Sequence, residues 1–383
     1  MGICDSASNT ESSPNLKPKK VFFVNNDTTG ILAKYNIEND NIDLLRKKNN
    51  GYILPIALAK RDQIEKYYNI KEKLLGEGAF GQVCIGEKKG IKYAIKKIKK
   101  NKLTDLKSIL LEAEISLSIL HENIITYYEI YEDQEYISYV MDLGEGGDLF
   151  DFITRCPLGH LPADITIDLL IQILGVVDYL HSVKRIIHRD LKPENFMIKI
   201  NILNKPQIKL IDFGLATYIP NNNQKIKDFY GTREYAAPEM YESSGYLEKV
   251  DEWAIGVIMF NMLTGFEPFS GKTPSEIKDK ILFSQINFEE IEDNELREIN
   301  KKLLNRYVAK RITSKEALIE LKKIKIERDN YKTGQKRMNK KTPSIILNKE
   351  IIFYFFQFAL KSPNFFCNIK FLNFIFIFIF IIL

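Results

Sequence analysis

The segment Gly76-Glu77-Gly78-Ala79-Phe80-Gly81-Gln82-Val83 spaces three glycines in a way suited to holding phosphate. Triphosphate oxygens carry several negative charges. Backbone N–H groups reach them only where no side chain blocks the approach, which is what glycine permits. The same Gly-x-Gly-x-x-Gly spacing also serves dinucleotide-binding turns, in which a helix opens directly after the glycines. Here Val83 to Gly86 reads as a strand, so the loop belongs to a hairpin and Val83 is placed to cover an adenine. A second phosphate-loop look-alike, Gly265 with Gly271-Lys272-Thr273, is one residue too long and follows a helical segment. It reads as a surface loop. Two other runs hold reactive residue types: Lys96 closes Tyr93-Ala94-Ile95-Lys96, and Asp190, Lys192 and Asn195 form an Asp-x-Lys-x-x-Asn run. In isolation the first is a solvated strand lysine and the second a polar turn.

The elements around these residues suggest how they are positioned. Ile70 to Leu75, Gln82 to Gly86 and Lys92 to Ile98 read as short strands joined by glycine-containing turns, hence an antiparallel sheet. An amphipathic helix follows from about Asp105 to Leu120, and helical spacing returns in Ile165 to Leu180 and Trp253 to Leu263. The expected class is α+β and bilobal. A small sheet lobe with one main helix (68–141) leads through Met141 to Gly147 into a larger helical lobe (148–325). Residues 1–67, rich in Asn, Ser, Lys and Asp, are expected to form a flexible extension. Residues 326–350 are expected to be a basic linker; from Lys322 to Lys341 nine residues are basic and two acidic. Residues 351–383 form an apolar tail of Phe and Ile whose last run is shorter than the roughly 20 apolar residues of a spanning helix. It is open to reading as a tail anchor, a packed surface helix or translated non-coding sequence.

With 383 residues, 45% hydrophobic and 27% charged, the chain has room for one large two-lobed domain plus tails. A net charge of +5 is too mild to argue for a nucleic-acid partner. Cys4, Cys84, Cys156 and Cys367 show no zinc or redox spacing, and no apolar run opens the chain, so a reduced, cytoplasmic protein is expected.

In sequence order, these motifs resemble those of the eukaryotic protein kinases, from about Tyr68 to Leu321. The resemblance implies an ATP site under the loop Gly76, Glu77, Gly78, Ala79, Phe80 and Gly81, with Val83, Ala94 and Lys96 beside it. Met141, Asp142, Gly144, Asp148, Glu194 and Met197 would complete it, Met141 as gatekeeper and Met197 as floor. Lys96 would hold the α- and β-phosphates and pair with Glu112, nine residues before His121, with Glu114 as the alternative. In His188-Arg189-Asp190-Leu191-Lys192-Pro193-Glu194-Asn195, Asp190 would orient the acceptor hydroxyl, Lys192 would neutralise the transferring group, and Asn195 would bind magnesium. Asp212, in Asp212-Phe213-Gly214, would chelate magnesium as a hard oxygen ligand. Phe213 would pack on His188, Glu239 of Ala237-Pro238-Glu239 would pair with Arg311, and Asp251 would anchor the catalytic-loop backbone. Ser116 departs from the family pattern, which usually places an apolar residue there.

Lys192 and Thr232 resemble the serine/threonine type, and Glu145-Gly146-Gly147-Asp148-Leu149-Phe150 with Glu194 resembles the calcium/calmodulin-dependent group. The whole domain is most similar to the calcium-dependent protein kinases of plants and protists. That implies protein substrates carrying a basic residue three positions before the target, recognised by Asp148 and Glu194. The segment Asp212 to Glu239 lacks a phosphorylatable residue at the usual activating position, so activity without loop phosphorylation is expected. No Asp-x-Asp-x-Asp-Gly loop follows Arg311, so calcium is not expected to be sensed by this chain itself. The basic stretch Lys322 to Lys341 is read as plain linker, with an autoinhibitory or calmodulin-binding segment as the alternative. Met1-Gly2-Ile3-Cys4-Asp5-Ser6 fits acylation of Gly2 and Cys4, which together would hold the chain at a membrane.

Overall fold

The computed structural model describes residues 60–338 apart from Arg61, 79–80, 101–105, Glu145, 201–204 and 221–223. The readings of Gly2, Cys4, Ala79, Phe80, most of the N-terminal extension and the apolar tail lie outside the described residues.

Strands β1 (Asn69–Gly78), β2 (Gly81–Lys88), β3 (Ile91–Lys99), β4 (Tyr127–Glu132) and β5 (Tyr136–Asp142) form one antiparallel sheet in the order β1-β2-β3-β5-β4. Helix α1 (Leu106–Ser118) lies between β3 and β4 in sequence. The β2–β3 turn is two residues long, with Lys89 at φ 54° and Gly90 at φ 76°. Two central residues at positive φ give a turn whose twist matches that of the strands it joins. The register that follows sets Val83 opposite Lys96 and Ala94 opposite Met141.

Residues ahead of the expected domain start at 68 also pack on the sheet. Lys60 bridges to Tyr131 in parallel fashion, and Ile64, in a 3-10 turn, is 0% exposed against Tyr68, Cys84, Ile95, Tyr131 and Val140. The Glu129 carboxylate accepts hydrogen bonds from Lys60, Tyr68, Tyr131 and Lys88. One apolar plug and one shared carboxylate tie this segment down, and neither produces a periodic signal.

The second lobe contains α2 (Leu149–Thr154), α3 (Ala163–Asp178), α4 (Lys249–Thr264), α5 (Pro274–Phe283), α6 (Asn294–Leu303) and α7 (Ser314–Met338). Short strands β6 (Ile186–Ile187), β7 (Phe196–Ile200), β8 (Pro206–Leu210) and β9 (Thr217–Tyr218) pair as β6-β9 and β7-β8. Every residue of α4 from Val250 to Leu263 is buried, so α4 is the central post of this lobe. Trp253 stacks on Phe269 from its side, with ring centroids 5.6 Å apart. A helix apolar all round must sit inside the protein. The look-alike phosphate loop is a helix boundary: Gly265 ends α4 at φ 85°, and the Thr273 side chain caps α5 by accepting from the Glu276 N–H.

The linker expected from residue 326 is also corrected. Helix α7 continues to Met338. Lys325 and Lys332 pair with Asp168 and Asp164 of α3, and Arg328 pairs with Asp293 and Glu295 at the start of α6. The basic residues are therefore matched to acidic ones on other elements, a pairing that composition along one segment does not reveal. Among the described residues no helix is long and apolar enough to cross a membrane.

Candidate active site

Lys96 sits on β3 with its backbone locked between β2 and β5, so its side chain has one direction to take. It is 7% exposed. Its Nζ donates to Glu112 Oε1 at 2.6 Å and to Asp212 Oδ1 at 3.0 Å. Burial works against the charge on Lys96, but the two carboxylates outweigh it and hold its pKa above the ordinary lysine value. Burial likewise opposes the Asp212 charge, yet Lys96 and the Gly214 N–H hold that carboxyl below its usual range. Glu112 is therefore the helix partner, and the alternative, Glu114, instead accepts from the Tyr218 hydroxyl at 3.0 Å. Phe213 is fully buried and meets the His188 ring at 5.3 Å between centroids. Ser116 is buried nearby, close to the Tyr127 phenol but without a hydrogen bond of normal geometry.

The loop between β6 and β7 carries Asp190, Lys192 and Asn195. Its backbone is anchored from α4: Asp251 Oδ2 and Oδ1 accept the N–H groups of His188 and Arg189 at 2.8 and 2.9 Å. Asp190 Oδ1 accepts from the Thr232 N–H at 2.9 Å and the Thr232 hydroxyl at 2.7 Å. Lys192 Nζ lies 3.2 Å from Asp190 Oδ2 and donates to Thr232 Oγ1 at 2.9 Å. Asn195 Nδ2 donates to the Asp190 carbonyl at 2.8 Å, which fixes the amide against the loop. Gly231 makes this closeness possible. A Cβ there would lie 2.3 Å from the Arg189 carbonyl oxygen, and its φ is 106°. Thr232, noted in the sequence only as a marker of type, thus touches both Asp190 and Lys192.

The remaining residues of the implied nucleotide site fall as follows. Gly78 and Gly81 pair across the β1–β2 turn, with Gly76 and Glu77 behind them on β1 opposite Val83 and Gln82. Ala94 lies opposite Met141 across β3 and β5, and Val83 on β2 pairs with Lys96, two residues along from Ala94. Asp142 turns its carboxylate toward Tyr128 and the Thr126 N–H, and its own N–H donates to the Thr126 carbonyl. Gly144 lies against Met197; a Cβ there would come within 2.6 Å of the Met197 methyl carbon. Asp148 caps α2, its Oδ1 accepting from the Asp151 N–H at 2.8 Å. Burial raises the pKa of both Asp148 and Glu194.

No group of three or more His, Cys, Asp or Glu side chains converges to hold a metal among the described residues. One carboxylate (Asp212) and one amide (Asn195) suit magnesium, which keeps waters and takes the rest of its shell from substrate phosphates. Arg189 Nε donates to the Leu215 carbonyl at 2.6 Å, and the guanidinium lies 4.6 Å from the centre of the Tyr230 ring. Glu239 and Arg311 form a buried two-pronged pair at 2.6 and 2.9 Å.

A lysine, two carboxylates and a polar loop gathered between a sheet lobe and a helical lobe define a phosphotransferase. Residues 68–320 match the family described as protein kinase domain, and the chain belongs to that family, as a serine/threonine protein kinase. It is 38% identical over 264 residues to myosin light chain kinase A of Dictyostelium discoideum, covering 67% of this chain and 88% of that one. It is 37% identical over 273 residues to human death-associated protein kinase 2, covering 68% and 72%. With calcium-dependent protein kinase 4 of Plasmodium falciparum it shares 36% identity over 284 residues, covering 70% and 52%, so it spans about half of that relative's length.

Proposed function

We propose that the chain uses magnesium ATP to phosphorylate serine or threonine in proteins that carry basic residues upstream of the target, and that it does so without activation-loop phosphorylation. The reading rests on Lys96 being paired at once with Glu112 and Asp212. This arrangement ties β3 and α1 to Asp212, and the preceding Ile211 N–H donates to the Asn195 carbonyl of the loop that carries Asp190. When bound, the nucleotide and its metal supply the γ-phosphoryl group. Asp190 accepts a hydrogen bond from the acceptor hydroxyl and turns its oxygen toward that group. Lys192, held by Thr232, offsets charge on the oxygens being transferred. Half-buried Glu194 is disfavoured by burial and by the charges of Asp148 and Asp190, so a guanidinium or ammonium group beside it relieves like-charge repulsion. Stacking of Arg189 on Tyr230 occupies the cation that a loop phosphate would otherwise engage. Acylated Gly2 and Cys4 would add membrane association, and intact-mass measurement of the expressed chain checks this.

The test supplies ATP, magnesium and a serine peptide with arginine three residues before the acceptor. Asp190→Asn should transfer phosphate about 10²–10⁴-fold more slowly. An alanine in place of the peptide arginine should raise KM, and EGTA should change nothing. Equal incorporation by Asp190→Asn and the unaltered chain removes the mechanism.

A further inference from the structure

We infer that Glu252 is a positioning residue for phosphotransfer, linking the start of helix α7 to the loop that carries Asp190. Asp251 and Glu252 are adjacent on α4 and are 1% and 2% exposed. Burying two anions side by side is costly unless each is fully paired. His181, in the turn that prolongs α3, stands between them. Its Nε2 is 2.8 Å from Asp251 Oδ2 and its Nδ1 is 3.3 Å from Glu252 Oε1. What each carboxylate does with its remaining acceptor capacity differs. Asp251 holds the backbone N–H groups of His188 and Arg189. Glu252 Oε1 accepts the N–H of Ser314 at 3.0 Å and its hydroxyl at 2.8 Å.

Ser314 is the first residue of α7, so the positive end of a 25-residue helix points at Glu252. The result is an unbroken chain of polar contacts: α7, Glu252, His181, Asp251, and the backbone one residue before Asp190. Four separate elements meet there, three of them around the turn that bears His181. From α4 the charged groups facing His181 are Asp251 and Glu252; from the catalytic loop His188 lies beyond Asp251; α7 contributes the uncharged Ser314. Burial disfavours a charge on His181, but the two carboxylates outweigh it and raise its pKa to about 10. The imidazolium is thus present throughout the neutral range and grips both carboxylates. A carboxylate serving only to cap α7 would leave catalysis untouched; one that also holds His181 charged would not.

The experiment uses the full chain with Glu252→Gln, Ser314→Ala and Ser314→Thr. Histidine NMR follows His181, assigned by loss of its signal in His181→Gln. In the unaltered chain His181 should stay protonated to about pH 9. In Glu252→Gln its titration should move down by roughly one unit or more, about tenfold in acidity. Wild-type kcat should be flat from about pH 7 to 9. The Glu252→Gln profile should gain an alkaline fall over that span, with KM for ATP and peptide unchanged within about twofold. Ser314→Ala should lower kcat about threefold or more, and Ser314→Thr should restore it. A His181 titration and kcat profile in Glu252→Gln identical to wild type overturn the inference. If Glu252→Gln does not fold, wild-type kcat in Ser314→Ala overturns it alone. The NMR arm does not depend on activity, so its failure is separable from a failure of the phosphotransfer reading.

Discussion

Replacing Arg311 by alanine tests how the end of the activation segment is held. Arg311 is 1% exposed. Its guanidinium donates twice to Glu239, to the Lys249 carbonyl at 2.6 Å and to the Asn305 carbonyl at 3.0 Å, and it lies 5.2 Å from the Trp253 ring centre. Arg311→Ala leaves Glu239 as a buried, uncompensated anion. Removing one partner of such a pair costs about 3–5 kcal/mol. Against a typical total of about 5–15 kcal/mol, this is a large fraction. At about 2–4 °C per kcal/mol for a domain of this order of size, Tm should fall by roughly 6–20 °C. Removing both charges with Arg311→Met plus Glu239→Leu should recover part of the loss. Recovery should be incomplete, because two carbonyls lose their donor at about 1–3 kcal/mol each if they stay dry. Circular dichroism melts and urea titrations of the two single variants and the double variant close the cycle. A cost under about 1 kcal/mol for Arg311→Ala, or a double variant no more stable than it, would refute the argument that burial makes this pair indispensable to the fold.

Three further outcomes are expected. Lys96→Met should lower kcat/KM for ATP in peptide phosphorylation by about 10²–10³-fold, the scale for losing one preorganised charge, and steady-state kinetics with ATP varied at saturating peptide measure it. Burial works against the Glu129 charge, but Lys60, Tyr68 and Tyr131 hold its carboxyl down to about 2, against an ordinary 4.5. Its stabilising contribution is therefore complete above pH 4.5 and is lost as pH falls toward 2. Glu129→Gln should lower stability at neutral pH and flatten its fall in acid; parallel stability–pH curves for the two proteins would count against this. Lys325→Ala with Lys332→Ala should speed amide exchange at the outer end of α7 while moving Tm little, because partly exposed ion pairs are worth about 0–1 kcal/mol each. The same speeding should appear in the unaltered chain at high salt.

Much of the catalytic apparatus was readable because it is local. The glycine hairpin, the strand bearing Lys96 and the run from His188 to Asn195 each carry their chemistry within a few residues, and each lies in or beside a periodic element that announces its conformation. The bilobal α+β class followed from the change of period after Asp148. The choice of Glu112 over Glu114 was not so readable. Both lie on α1, and only the packing of that helix on the sheet turns one toward Lys96 and the other toward Tyr218.

The amino-acid order alone thus determined which side chains hold the reactive groups and the type of element bearing each, because those depend on neighbours along the chain. Tertiary structure decided how residues ahead of Tyr68 and beyond Lys325 are held. Ile64 finds its cavity only once β2, β3, β4 and β5 are assembled, and Lys325, Arg328 and Lys332 find carboxylates only where α3 and α6 lie beside α7. It also decided which buried charges meet: His181, Asp251 and Ser314 are separated by 70 and 63 residues and become neighbours only through packing, where low polarity makes pairing obligatory.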